Sequence, residues 1–478
     1  MYYALRKDCY FRQYGEIGHI IRPVVSAEEI LNEGGAIFVS QLGYEPKNID
    51  DIVGNLLEIY EGINAKELKV DAVTLFDSLV LDGFLDKSDS LENFVHTNFS
   101  YATLQGKLAR DTIKANVKES SSDFFNRYSL EHPFLNSFQI ELTSKCNERC
   151  VHCYIPHEIK NTQIEYNLMI KALDECKSMG VLTIVFSGGE AMLHPNFCEF
   201  LRYAKDLDLN VVVLSNLTLL NDEILEALKY RHPPCVNVSL YSMNPEVHDS
   251  ITTINGSQEI TKKNIIKLIE NNIPVQINCP VMKQNKDDFD EVVRWGQGYK
   301  CSVRVDYLIM ARCDRSTDNL QNRLSSDEVE RVVTKLLNSN VVFQTNIRNR
   351  DESKLGKQDG NERVCGVGLT SLCMVANGDV YPCVGWHKCI LGNLNKNSLN
   401  DIWNNSPQIR YLRGLRIKDF KKCNGCKDYD YCLMCMSRNS NEDPNGDIFN
   451  IPQITCDAAE IHHKVVEEYR KKLIVDSK

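Results

Sequence analysis

Cys146, Cys150 and Cys153 stand in the run ELTSKCNERCVHCYIPH with the spacing C-x3-C-x2-C, directly after an apolar segment that reads as a buried strand. Three thiolates on one short loop can hold three irons of a four-iron cluster. The fourth iron is then open to an exchangeable ligand that the cluster can reduce. The competing chemistry is a zinc site, which closes with a fourth Cys or His at comparable spacing. His152 and His157 are near enough in sequence to keep that option open.

A second group of cysteines lies toward the C-terminus. Cys365 is followed by Gly378 and Cys383 in MVANGDVYPC, then by Cys423-x2-Cys426-x5-Cys432-x2-Cys435, and last by Cys456. With Cys373 these make eight thiols, enough for two fully cysteine-ligated four-iron clusters. Taken alone, Cys423, Cys426, Cys432 and Cys435 are two close pairs and suit a zinc ribbon. Cys9, Cys176, Cys198, Cys235, Cys279, Cys301, Cys313 and Cys389 lie mostly in apolar segments and read as small core residues.

These residues need a scaffold, and composition bounds it. A chain of 478 residues is expected to form two or three domains. Its 43% hydrophobic and 25% charged content fit a soluble globular protein. No membrane-length apolar run or signal peptide is legible, so a cytoplasmic protein is expected. Nineteen cysteines there point to metal or redox work, not to disulfides. A net charge of −10 with no basic block weighs against a nucleic-acid surface.

Short apolar runs at Phe138–Leu142, Leu182–Phe186, Asn210–Leu214, Val236–Leu240, Val275–Cys279 and Val303–Leu308 alternate with helical patterns such as Tyr166–Met179 and Ile260–Ile269. Six such repeats predict an α/β fold with parallel strands, whose chemistry sits at the C-terminal strand ends. The unusual residues fall there: the Cys triplet, then Ser187, Gly188, Gly189 and Glu190, then Ser215, Asn216 and Thr218, then Ser239, and Arg312 after the sixth strand.

Residues 1–86 read as a separate winged-helix-like unit. Tyr2–Leu5 and His19–Arg22 are strand-like, and Asn48 caps a helix carrying Ile49, Ile52, Val53, Leu56, Leu57 and Tyr60 on one face. A second helix is expected from near Asp71, with Val73, Phe76, Leu79 and Val80 inward, to Gly83. Residues 87–136, with the break ESSSD at 119–123, read as a connector with one or two helices, and 314–364 as a bridging helix and linker.

The Cys triplet at a strand end resembles the radical S-adenosylmethionine (SAM) enzymes. That resemblance implies a partial (β/α)6 barrel over 137–313. It also implies a [4Fe-4S] cluster whose open iron takes the amino and carboxylate groups of SAM and whose electron splits the S–C5′ bond, giving a 5′-deoxyadenosyl radical. It places the backbone of Gly188 and Gly189, with Glu190, on the methionyl ammonium. Ser215, Asn216 and Ser239 go to the ribose hydroxyls or the methionyl carboxylate, Arg312 to that carboxylate, and His152 and Tyr154 beside adenine. The segment HDSITTINGS departs from the pattern, with Thr252 and Thr253 where relatives often carry Arg or Gly.

Residues 365–478 resemble the SPASM extension of peptide-modifying radical SAM enzymes, which implies two further [4Fe-4S] clusters and three in all. The family's crossed arrangement gives Cys365, Cys373, Cys383 and Cys435 to the inner cluster and Cys423, Cys426, Cys432 and Cys456 to the outer one. The family places three residues between the motif cysteines found here at 432 and 435, where this chain has two.

YYALRKDCYFRQYGEIGHIIRP, EILNEGGAIFVSQL, IDDIVGNLLEIYEG and DAVTLFDSLVLDGFL resemble the peptide-binding domain of pyrroloquinoline-quinone biosynthesis. Its relatives bind a precursor's leader peptide as an added strand. The whole therefore resembles a maturase of a ribosomally made, leader-bearing peptide, served by an electron donor such as flavodoxin or ferredoxin, with no nucleic acid and no membrane. A thioether cross-link is the favoured product. A carbon–carbon cross-link, a sulfatase formylglycine and a non-catalytic iron–sulfur carrier are the alternatives. No residue declares itself a catalytic acid or base.

Overall fold

Arg12, Gln13, Glu28 and Glu29 interrupt the apolar runs of the N-terminal region, yet all four lie in strands. In the computed structural model, which describes residues 1–59, 62–97, 121–231, 233–349 and 360–476, this region forms six strands. They are β1 (Tyr2–Leu5), β2 (Tyr10–Tyr14), β3 (Ile17–Arg22), β4 (Ala27–Leu31), β5 (Lys47–Asn48) and β6 (Leu85–Ser88). They make two three-stranded sheets, β5-β1-β6 and β2-β3-β4, packed with helices Glu33–Ser40, Ile49–Ile59 and Ala65–Leu81.

Asn48 caps the second of these helices as expected, accepting from the Asp50 amide at 2.9 Å. The third begins at Ala65 instead of Asp71, because Asn64 accepts from the Lys66 amide and caps it earlier. Tyr60, the start of the ESSSD break and much of the 87–136 connector lie outside the described residues, as do residues 350–359 of the bridging segment. The described parts of the connector are residues 87–97, which begin with the end of β6, and residues 121–136, which hold the helix Ser121–Glu131.

The six barrel strands fall where the apolar runs place them: β7 (Ser137–Thr143), β8 (Thr183–Gly188), β9 (Asn210–Ser215), β10 (Val236–Ser239), β11 (Val275–Pro280) and β12 (Ser302–Asp306). Each pairs in parallel with the next. Phe138, Ile140 and Leu142 alternate on β7 and are wholly buried in the main core. The helix Tyr166–Ser178 covers that side with Leu168, Met169, Ala172, Leu173 and Cys176, an i, i+4 stripe.

The sheet does not stop at β7. β13 (Ser371–Met374) pairs with it in parallel, Ser371 opposite Ser137 and Cys373 opposite Gln139. β14 (Asp379–Tyr381) and β15 (Gly392–Asn393) follow antiparallel. Barrel and cysteine-rich extension thus share one nine-stranded sheet.

The N-terminal unit is fastened to the floor of the barrel, where the strands begin. Arg12, 8% exposed, donates from Nε to the Val181 carbonyl at 3.2 Å and from Nη1 to the Asp208 carboxylate at 2.9 Å. Its Nη2 also reaches the Asp208 carbonyl, and Tyr44 donates to the same carboxylate. Tyr14 donates to Asn136 Oδ1 at 2.8 Å, while Tyr10 and Ile21 bury against Leu182. Asn136, Leu182 and Asp208 each lie just ahead of a barrel strand.

Candidate active site

The Cys loop leaves the top of β7, and the end of β8 is pressed against its root. A β-carbon on Gly188 would lie 2.2 Å from the Thr143 carbonyl oxygen, and Gly188 has a φ of +138°. One on Gly189 would lie 2.3 Å from the Lys145 carbonyl oxygen. The space is used by hydrogen bonds: the Gly189 amide donates to Thr143 at 2.7 Å and the Glu190 amide to Lys145 at 2.9 Å. The family resemblance sets the backbone of these glycines against SAM, which also calls for small residues. Here the loop's own backbone already demands them.

Glu190 is 1% exposed and ties two strand ends together. Its carboxylate accepts from the Met192 amide at 3.0 Å, Ser215 Oγ at 2.8 Å and the Asn216 amide at 2.7 Å. Burial raises its carboxyl pKa and the three donors oppose that rise. Asn216 Nδ2 then donates to Asn147 Oδ1 at 2.9 Å, and Asn147 Nδ2 to Thr218 Oγ1 at 2.7 Å, which fastens the Cys loop to the end of β9. Ser215 and Asn216 are therefore engaged by protein partners. Glu190→Ala strands three buried donors and is expected to cost about 3 kcal/mol or more, read as a shifted denaturation midpoint of the metal-free protein.

On the far side the loop is held by main chain. Arg149 and Val151 donate their amides to the carbonyls of Thr252 and Ile251 at 3.0 and 2.9 Å. Asn322 Nδ2 reaches the Val151 carbonyl at 3.1 Å and Asn319 Nδ2 the His152 carbonyl at 3.3 Å. The departure at Thr252 and Thr253 leaves these contacts unaffected, since carbonyls make the bonds. Thr253 has a φ of +61°, in the region that glycine occupies most easily.

Inside the loop, Tyr241 donates to Cys150 Sγ at 3.7 Å, with Ser239 beside its hydroxyl. His152 meets the Tyr241 ring edge-on at 5.1 Å, and burial drops its pKa to about 4, so the ring is neutral. Tyr154 instead donates to Glu141 Oε1 at 2.8 Å. The two expected adenine neighbours thus have different surroundings. Arg312 pairs with Asp318 at 3.0 Å. Its Nε, with His152 Nδ1 and Glu148 Oε1, is a buried polar atom without a partner. Such orphans on and beside the loop suit a polar ligand. Glu141, Glu148 and Tyr241 escaped the sequence reading. A glutamate within the apolar run FQIEL was the one available signal.

The cysteines fall into three sets. Burial, then Glu148, Cys153 and Cys146, pushes the Cys150 thiol well up. Burial, then Cys435 and Cys365, pushes Cys383 up to about 12. Burial, then Cys432, Cys456 and Cys426, does the same to Cys423. Cys423, Cys426, Cys432 and Cys456 line one cavity of about 110 Å³, so Cys456 takes the place that a zinc ribbon would give to Cys435.

Crowded, partly desolvated thiols are poor thiolates until a cation joins them. Among the described residues no three His, Cys, Asp or Glu side chains converge as they would on a single ion, and four thiols around a cavity suit a cluster with several irons. Cys373 lies on β13, buried beside Glu141, with Cys383 as its thiol neighbour. Of the eight remaining cysteines, Cys235 and Cys389 are half-buried and the others buried.

Residues 140–296 match the model of the radical SAM superfamily, and residues 365–428 that of the SPASM iron–sulfur cluster-binding domain. The chain is a radical SAM enzyme with a SPASM extension. This radical SAM/SPASM enzyme is 28% identical over 321 residues to the AdoMet-dependent heme synthase of Methanosarcina barkeri, covering 62% of this chain and 90% of that protein. It is also 28% identical over 359 residues to AlbA, the antilisterial bacteriocin subtilosin biosynthesis protein of Bacillus subtilis, covering 72% of this chain and 77% of that protein. Among solved structures it is similar to Streptococcus suis SuiB bound to its precursor peptide SuiA, with a TM-score of 0.63 and 17% identity over 95% of this chain and 99% of that one. No described helix of the radical SAM/SPASM enzyme is long and apolar enough to cross a membrane.

Proposed function

We propose that this radical SAM/SPASM enzyme matures a ribosomally made precursor peptide, held by its leader on residues 1–86 while a cross-link is closed in the core. The observation that carries the reading is the reach of the likeness to SuiB. It spans 95% of this chain, and so takes in the N-terminal domain as well as the barrel and extension. AlbA, named for the biosynthesis of a peptide bacteriocin, supports the same substrate class.

Cys146, Cys150 and Cys153 are the ligands of the SAM cluster in this reading, and reductive cleavage of SAM is the chemistry that such a cluster supplies. Glu190, Asn216 and Asn147 hold the loop in register with the ends of β8 and β9. The orphaned Arg312 Nε, near the loop, is available to an anionic group, and neutral His152 offers an uncharged ring. Cys423, Cys426, Cys432 and Cys456 would hold the outer auxiliary cluster, and Cys365, Cys383 and Cys435 the inner one. Flavodoxin or ferredoxin is the electron donor we expect.

A thioether is favoured over a carbon–carbon bond because Cys365, Cys383 and Cys435 each interact with the other two, whereas Cys373 interacts with Cys383 alone of the three. Three protein ligands leave a place where a substrate thiolate can bind. Anaerobic reconstitution with SAM, reductant and the peptide encoded beside this gene is expected to give a product lighter by two hydrogens. Steady SAM cleavage with an unaltered peptide would refute the reading.

Cys373→Ala decides the ligand set. As a packed strand thiol, Cys373 costs at most a small cavity, about 1 kcal/mol, when cut back, and the auxiliary-cluster spectrum stays as in the wild type. A changed spectrum with product lost more than SAM cleavage would instead make Cys373 the fourth ligand.

A further inference from the structure

The leader-recognition reading puts peptide binding on residues 1–86, and that domain sits at the end of the barrel opposite the Cys loop. Its contacts go to Val181, Leu182, Asp208 and Asn136, all ahead of the strands. The Cys triplet, Gly189 and Glu190 lie beyond the other ends of the same strands, and Gly188 is the last residue of β8. Between the two levels stands the length of β7, seven residues from Ser137 to Thr143. At about 3.3 Å per residue that is about 23 Å.

We infer that the barrel acts as a ruler: a precursor held on the N-terminal domain can react only at residues separated from the held segment by at least about seven residues of extended chain. The reasoning is steric. A peptide gains at most about 3.3–3.6 Å per residue, so a shorter spacer cannot climb from floor to mouth while its leader stays bound.

The ruler needs a fixed lower end, and the docking contacts supply one. The Arg12 guanidinium is buried and spends donors on a main-chain carbonyl ahead of β8 and on both the carboxylate and the carbonyl of Asp208. Tyr44 converges on the same carboxylate. Swinging the domain upward would break the Arg12–Asp208 ion pair and the hydrogen bonds to the Val181 and Asp208 carbonyls together. The Tyr10–Ile21–Leu182 cluster would be exposed as well.

This inference rests on the proposed leader-binding role, and the experiment separates the two. Synthetic peptides are made with the leader of the neighbouring precursor, one reactive core segment and Gly-Ser spacers from about two to about fourteen residues. Affinity is measured by titration with the full-length protein, and product by mass spectrometry. The expected result is affinity constant within about twofold across the series, with product falling at least about tenfold once the spacer is shorter than about seven residues. Short-spaced peptides that bind and react as well as long ones would overturn the ruler while leaving leader recognition intact. Peptides without the leader that bind the full-length protein and react as well as leader-bearing ones would remove leader recognition, and the ruler with it.

Discussion

Replacing Cys146, Cys150 and Cys153 together by Ala is expected to abolish 5′-deoxyadenosine formation, a fall of at least about a thousandfold, and to remove about four of about twelve irons per reconstituted chain. The loop should survive the change. Its position depends on the Arg149 and Val151 amides bonded to Thr252 and Ile251, and on the bond between Asn147 and Asn216. None of those groups is a thiol. The three cysteines are only partly buried, so trimming them opens little cavity and the metal-free variant should unfold close to the wild-type midpoint. Iron content separates loss of the cluster from loss of the fold. SAM cleavage persisting in a folded triple variant would show that the triplet is not the reducing centre.

Gly188→Ala should be nearly as damaging for a different reason. The new methyl carbon would meet the Thr143 carbonyl oxygen at 2.2 Å, against backbone with little freedom to give way, at a φ of +138°. Backbone in that region costs a non-glycine residue about 1–3 kcal/mol even without a clash. Relief requires the end of β8 to lift away from the loop root, which breaks the Gly189-to-Thr143 and Glu190-to-Lys145 hydrogen bonds. A loss of about 3 kcal/mol or more of stability is expected, together with loss of SAM binding. Denaturation and equilibrium titration with SAM read the two effects separately. A variant with wild-type stability would mean that the strand end is not under the constraint described.

The barrel was legible because apolar residues recur at alternate positions along its strands, as with Phe138, Ile140 and Leu142 on β7 and Val236 and Val238 on β10, and because its unusual residues follow those runs. The sheets of the N-terminal unit were harder to read: Arg12 and Gln13 interrupt β2, Glu28 and Glu29 interrupt β4, and Arg12 turns its charge to the barrel floor, a partner no local pattern reveals. The Cys triplet announced its chemistry by spacing alone. Glu190 did not announce its work, since a residue with three buried donors reads in sequence like any acid after a GG turn. The grouping of Cys456 with Cys423, Cys426 and Cys432 was carried by family likeness. No spacing rule predicts that a thiol more than twenty residues downstream will complete that cavity in place of Cys435.

The parallel pairing of β13 with β7 bears on how such proteins can be recombined. A cut at the sequence boundary before Cys365 would sever a four-residue ladder on the barrel's first strand, from Ser371–Ser137 to Met374–Ile140, and leave that strand with a raw edge. The extension is thus not a cartridge that can be exchanged by splicing at the linker. A chimaera that borrows another protein's cluster-binding half must bring a strand whose side chains match Phe138 and Ile140. A barrel expressed alone should aggregate through β7 before its chemistry can be assayed.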